Sequence, residues 1–226
     1  MVHKVPPERP GIKRPLGTDR VDSGGSGPYS LHGRRSIPLQ GGGTMASRKD
    51  VLQLLAEHEV PSVLIGGLAM RIYRSPRFTS DMDLAIRSMD VDTVVGLMYV
   101  AGFSLVWKLD EKFLYMHPSP EAAAEWVDAA GVSSMTFMHG RARSGAHRLR
   151  LRDVKAATQV DFLFDLPVPF PRLRQRARML PMGGRSVLVA AVEDLLELKE
   201  RRAEKRDADR SDIEYLRGLL RKGRES

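Results

Sequence analysis

Residues 77–86, "RFTSDMDLAI", set two carboxylates one residue apart inside what otherwise reads as a buried β-strand. Successive strand side chains alternate faces, so Asp81, Asp83 and Ala85 share one side while Met82, Leu84 and Ile86 share the other. The two carboxylates therefore sit side by side. Adjacent like charges repel, which makes the pair costly unless something cationic, commonly a divalent metal, lies between them. A solvated edge strand is the bland alternative, and the surrounding segments bear on the choice.

Upstream, "VLIGG" from Val63 is a short apolar strand ending in Gly66-Gly67, and "LAMRIYRS" after it reads as a helix. A Gly-Gly turn lets backbone amides approach a phosphate without Cβ obstruction, and a following helix directs its positive end to the same point. Most such pairs merely make turns. There is no G-x-x-x-x-G-K-[ST], so a P-loop ATPase is not supported.

Downstream, "DVDTVVGLMYVAGF" reads as a helix closed by Gly102, "SLVWKL" and "KFLYMH" as a strand pair, and residues 118–130 as a helical insertion. "SSMTFMH" and "QVDFLFD" are further strands flanking an Arg-rich loop, 140–152. A Pro-rich break at 167–171 precedes a short strand, "RSVLVA", and a long helix from Val192 towards Leu220, in one piece or two. Asp161 in "VDFLFD" supplies a third carboxylate, with Asp165 on the same face as a competitor. Three carboxylates on neighbouring strands can hold one or two Mg²⁺ ions, which bridge a triphosphate and offset charge on departing pyrophosphate.

The chain has 226 residues, a net charge of +8 and no cysteine, which excludes disulfides, thiolate zinc sites and cysteine nucleophiles. No run approaches the ~18 apolar residues of a membrane span and no signal peptide is visible, so the expectation is a soluble cytoplasmic protein with no membrane partner. Residues 140–185 hold eleven Arg and Lys against three Asp and no Glu, which suits a polyanion such as RNA, or simply solubility. Residues 1–44, rich in Pro, Gly, Ser and Arg without helical or strand period, read as a disordered leader, and Met45 as a candidate start of the folded chain. His117, His139 and His147 lack metal-ligand spacing, no serine has a G-x-S-x-G context, and Trp107 and Trp126 read as packing residues rather than base-stacking platforms.

"GGLA", "RFTSDMDL" and "VDFLFD" together resemble the nucleotidyltransferase fold of the DNA polymerase beta superfamily. The Arg77-x-Thr79-x-Asp81-x-Asp83 spelling is similar to the minimal and abortive-infection-type nucleotidyltransferases of bacterial toxin systems. "EDLLELKERRAEKRDADRSDIEYL" is similar to their helical Lys, Ala, Arg, Asp, Asp pattern, at Lys199, Ala203, Arg206, Asp209 and Asp212. The sequence departs from the pattern at Ser75-Pro76, where a Gly-containing turn is usual, and at Ala190-Ala191, in place of a Pro/Ser helix start.

The resemblance implies an α+β fold, a mixed sheet flanked by helices, with a core over 45–170 and a C-terminal helical segment over 171–226. It implies Asp81, Asp83 and Asp161 as catalytic metal ligands for Mg²⁺ or Mn²⁺, and Gly66, Gly67, Arg77, Thr79, Lys199 and Arg206 as nucleotide-binding residues. The implied activity moves a nucleoside monophosphate from an NTP to a hydroxyl of RNA or tRNA, a protein or a small molecule. A toxin role with a cognate antitoxin, and a non-catalytic nucleotide- or RNA-binding domain of the same fold, both stay open.

The C-terminal helix has an oddity of its own. Leu195, Lys199, Arg202, Arg206, Asp209 and Ile213 are spaced 4, 3, 4, 3, 4 and form a stripe apolar at its ends and charged in its middle. Either it is a solvated face with internal ion pairs, or it lines a cleft where Lys199 neutralises phosphate and Arg206 pairs with Asp209 or substrate.

Overall fold

Val63, Leu64 and Ile65 are buried, as strand residues flanked on both sheet edges must be. They form β1 (Val63–Ile65) of a nine-stranded sheet in the computed structural model, which describes residues 48–76, 78–139, 148–154, 159–202 and 207–222. The leader assigned to 1–44, and Arg77, Ala203 and Arg206, lie outside the described residues.

Helix α1 (Arg48–Glu57) precedes β1; α2 (Gly66–Ile72) follows it directly and returns the chain to β2 (Met82–Ala85). A 3-10 turn and α3 (Val91–Val100) lead to β3 (Phe103–Leu109), β4 (Phe113–Met116), α4 (Pro120–Ala130) and β5 (Ser134–His139). Then come β6 (Arg148–Arg150), α5 (Leu151–Val154), β7 (Gln159–Leu163), α6 (Phe170–Arg176), β8 (Arg178–Met182), β9 (Arg185–Val189), α7 (Val192–Glu200) and α8 (Asp207–Lys222). The strands run in the order β6-β4-β3-β5-β7-β2-β1-β9-β8. Pairing is antiparallel except β2 with β7 and β1 with β9, so the sheet is mixed and the fold is α+β, as expected.

Local chemistry accounts for the element boundaries. Ser119 caps α4 by accepting the Ala122 amide at 3.3 Å, Pro120 sits in its first turn, and Gly131 closes it at φ 57°. The two-residue turn Gly183-Gly184, with φ 60° and 85°, joins β8 to β9 as mirror-image hairpin turns require.

Three segments depart from the sequence reading. Residues 148–150, read as loop, form edge strand β6 on β4; one alternation of Arg, Leu and Arg is too short to register as a period. The Pro-rich break continues into α6, because Pro171 occupies its first turn, where a missing amide costs nothing. Strand β8 lies within the segment read as helical, whereas β9 falls on the "RSVLVA" strand read from sequence and pairs with β1, so the core sheet runs past residue 170. The long helix is two helices, α7 and α8.

Register defines two faces. Met82, Val160 and Phe137 stand opposite one another across β2, β7 and β5, as do Leu84, Phe162 and Met135; all are fully buried on the face that joins the main core. Asp83, Asp161 and Thr136 stand opposite one another on the other face. No helix among the described residues is long and apolar enough to cross a membrane.

Candidate active site

Asp83 is the direct register partner of Asp161 on parallel strands β2 and β7, so the two carboxylates project from the same face of adjacent strands. Asp161 is buried and its Oδ2 accepts Gln159 Nε2 at 2.8 Å. Asp165 lies two residues past β7, exposed at φ 54°, and accepts the Ser88 hydroxyl at 2.6 Å, so of the two competing carboxylates Asp161 is the one beside Asp83.

Asp81 sits just before β2, half-buried; its Oδ1 accepts the Ser80 hydroxyl at 2.9 Å. Thr79 Oγ1 accepts the Asp81 amide at 3.4 Å. Thr79 also packs on the turn: a Cβ at Gly67 would stand 3.0 Å from its Cβ, Cγ2 and Oγ1. Gly66, on β1's end, faces Asp83, the partner of Ile65. A Cβ there would overlap the Asp83 carboxylate, 2.5 Å from Cγ and 2.9 Å from Cβ, and Gly66 holds φ +66°. The glycine pair thus has a structural reason independent of phosphate: Gly66 makes room for Asp83, and Gly67 for Thr79.

Gly66, Asp83, Leu163, Leu198, Lys199 and Arg202 all line one cavity of about 160 Å³. The stripe on α7 and α8 therefore turns inward, with Leu195, Lys199, Asp209 and Ile213 all buried. Lys199 Nζ, however, is claimed by two carboxylates, Asp209 Oδ1 and Asp212 Oδ2, each at 2.7 Å. Its ion pairs lock α7 to α8, and the charge foreseen for phosphate is neutralised in place. The more exposed cation at this cavity is Arg202, which reaches Asp209 Oδ2 at 3.3 Å with about a third of its side chain open to solvent. Spacing drew Arg202 into the stripe without singling it out, and the Lys199 contacts cross a helix break that the periodicity ignores.

A divalent cation fits this donor set in kind, since carboxylate oxygens suit Mg²⁺ or Mn²⁺ and the glycine keeps the Asp83 carboxylate unobstructed. In position the fit is partial: Asp83 and Asp161 adjoin, but no group of three His, Asp or Glu among the described residues is gathered closely enough to hold an ion.

No protein-family model matches the chain, and no curated protein matches it. Solved structures are similar to it. That of ANT(2")-Ia in complex with adenylyl-2"-tobramycin shares 13% identity at a TM-score of 0.44, over 75% of this chain and 85% of its own. The lincosamide antibiotic adenylyltransferase LnuA, lincomycin-bound, shares 12% at 0.45, over 77% and 98%. An antigenic nucleotidyltransferase-like protein from Paracoccidioides brasiliensis shares 16% at 0.44, over 74% and 72%.

Proposed function

We propose that this chain is a nucleotidyltransferase that moves a nucleoside monophosphate from an NTP to a hydroxyl acceptor and releases pyrophosphate. One observation carries the reading: the fold brings three separate sequence segments to one point, with Asp83 beside Asp161 and Gly66 pressed against the Asp83 carboxylate.

Asp81, Asp83 and Asp161 are the residues that would hold Mg²⁺ or Mn²⁺, which when bound would offset charge on the triphosphate and the leaving pyrophosphate. Asp161 takes the acceptor's hydroxyl proton as the acceptor oxygen bonds to the α-phosphorus and the bond to the β-phosphate oxygen breaks. Arg202, at the cavity wall, neutralises phosphate. Thr79 and Ser80 orient Asp81. An RNA or tRNA acceptor suits the basic composition of 140–185, and a cognate antitoxin is the partner that the toxin-system resemblance implies.

A specific observation favours a second reading, nucleotide or RNA binding without turnover: the third carboxylate is not gathered with the other two, and a 160 Å³ cavity is smaller than the ~300 Å³ at which ligand sites usually begin. Transfer of label from α-labelled NTPs to RNA, to protein including the enzyme itself, or to an aminoglycoside or lincosamide, with Mg²⁺ and with EDTA, separates the two. Transfer lost in Asp83→Asn supports the enzyme. NTP binding without transfer under every condition replaces it with the binding domain.

A further inference from the structure

On the sheet face opposite Asp83 and Asp161, at the β4–β6 edge, a cavity of about 640 Å³ is lined by Trp107, Tyr115, His117, Trp126 and Arg148. Its walls are rings in series: Trp107 lies 5.8 Å from Tyr115 and from His117, and His117 lies 5.5 Å from Trp126. The β3–β4 register shifts between Val106 and Lys108, which leaves Trp107 as the extra residue of a bulge and Lys108 opposite Tyr115. The two tryptophans, read from sequence as packing residues, are only half-buried here.

The chemistry of the rim selects the occupant. Arg148 stacks on Phe113 at 4.3 Å and lines the cavity, and Lys108 Nζ stands 5.7 Å over the Tyr115 ring. Arg150 occupies the next position on the same face of edge strand β6, opposite Phe113. Asp110, beside Tyr115, accepts the Tyr115 hydroxyl at 2.7 Å and the Lys112 and Phe113 amides. Such a rim repels a cationic guest and attracts an anionic one. Stacking surfaces and flanking arginines are the elements that hold unpaired nucleotides.

We propose that this cavity binds an unpaired base of single-stranded RNA, with Arg148 and Arg150 neutralising the adjoining phosphates. The strand is held on the face opposite the carboxylates, so this site anchors RNA away from the reacting atoms and does not depend on the transferase reading.

The chain's own tryptophans report on it, because its two tryptophans, Trp107 and Trp126, both line the cavity. Titrating full-length protein with a single-stranded RNA of about 12 nucleotides should quench intrinsic fluorescence saturably, and a duplex of the same sequence should do so far less. Trp126→Leu should weaken binding roughly 5- to 100-fold, measured by anisotropy of labelled RNA at a temperature where the variant is still fully folded. Arg148→Ala with Arg150→Ala, both on exposed positions, should flatten the slope of log affinity against log salt by about 1.4. RNA that binds without quenching, or with affinity and salt slope unmoved by these variants, overturns the proposal. Saturable quenching by an uncharged nucleoside or an aromatic peptide but not by RNA also overturns it, and assigns the cavity to that ligand.

Discussion

Replacing Gly66 with alanine tests why the glycine pair exists. The backbone there holds φ +66°, which costs an L-residue about 1–2 kcal/mol. The new methyl would overlap the Asp83 carboxylate and stand 2.5 Å from its Cγ, and forcing such an insertion costs about 1–3 kcal/mol more. The expected loss is therefore about 2–5 kcal/mol, or roughly 4–20 °C in melting temperature for a fold of this size. A double-mutant cycle by urea unfolding separates the two contributions. Asp83→Ala removes the Oδ2 and Cγ overlaps and leaves the 2.9 Å approach of Cβ, so in that background Gly66→Ala should cost at least about 1 kcal/mol less. A penalty below about 0.5 kcal/mol, or one equal in both backgrounds, would show that Gly66 is not there to admit Asp83, and the link between turn and carboxylate would fail.

Lys199→Ala should lower stability by about 3–5 kcal/mol, because it strands the buried Asp209 and Asp212 carboxylates; an unchanged urea midpoint with weakened NTP binding would return Lys199 to a phosphate role. Asp83→Asn should abolish transfer while leaving the metal-free protein melting no lower than wild type, since one of two like charges in register is removed; a clear loss of stability without metal would mark Asp83 as structural. Burial keeps His117 neutral when folded, so its folded pKa lies below its unfolded value of about 6.5. The unfolded chain then takes up the proton first as pH falls, and stability present above about pH 6.5 should decline below it. Urea midpoints at neutral and mildly acidic pH should fall more steeply for wild type than for His117→Phe, and parallel declines would refute this.

Much was legible from residue order alone. Alternation placed Asp81, Asp83 and Ala85 on one strand face, of which β2 holds Asp83 and Ala85, and residues 118–130 read as the helix that is α4, because strand and helix periods are properties of adjacent residues. The resemblance brought together Gly66, Asp83, Asp161, Lys199 and Asp212 as a set without assigning their contacts. Those contacts depend on which strands pair and in what register, a matter of burying apolar surface across the whole sheet that no local window contains. Pairing β2 with β7 chose Asp161 over Asp165 as the neighbour of Asp83, although both lie on the same strand face by alternation. Packing of α7 on α8 turned Lys199 from a free cation into the centre of a buried ion triad, because a charge removed from water needs opposite charges within reach. Trp107 on β3, Trp126 on α4 and Arg148 on β6 became walls of one cavity only through the packing of elements distant in sequence, which no local window contains.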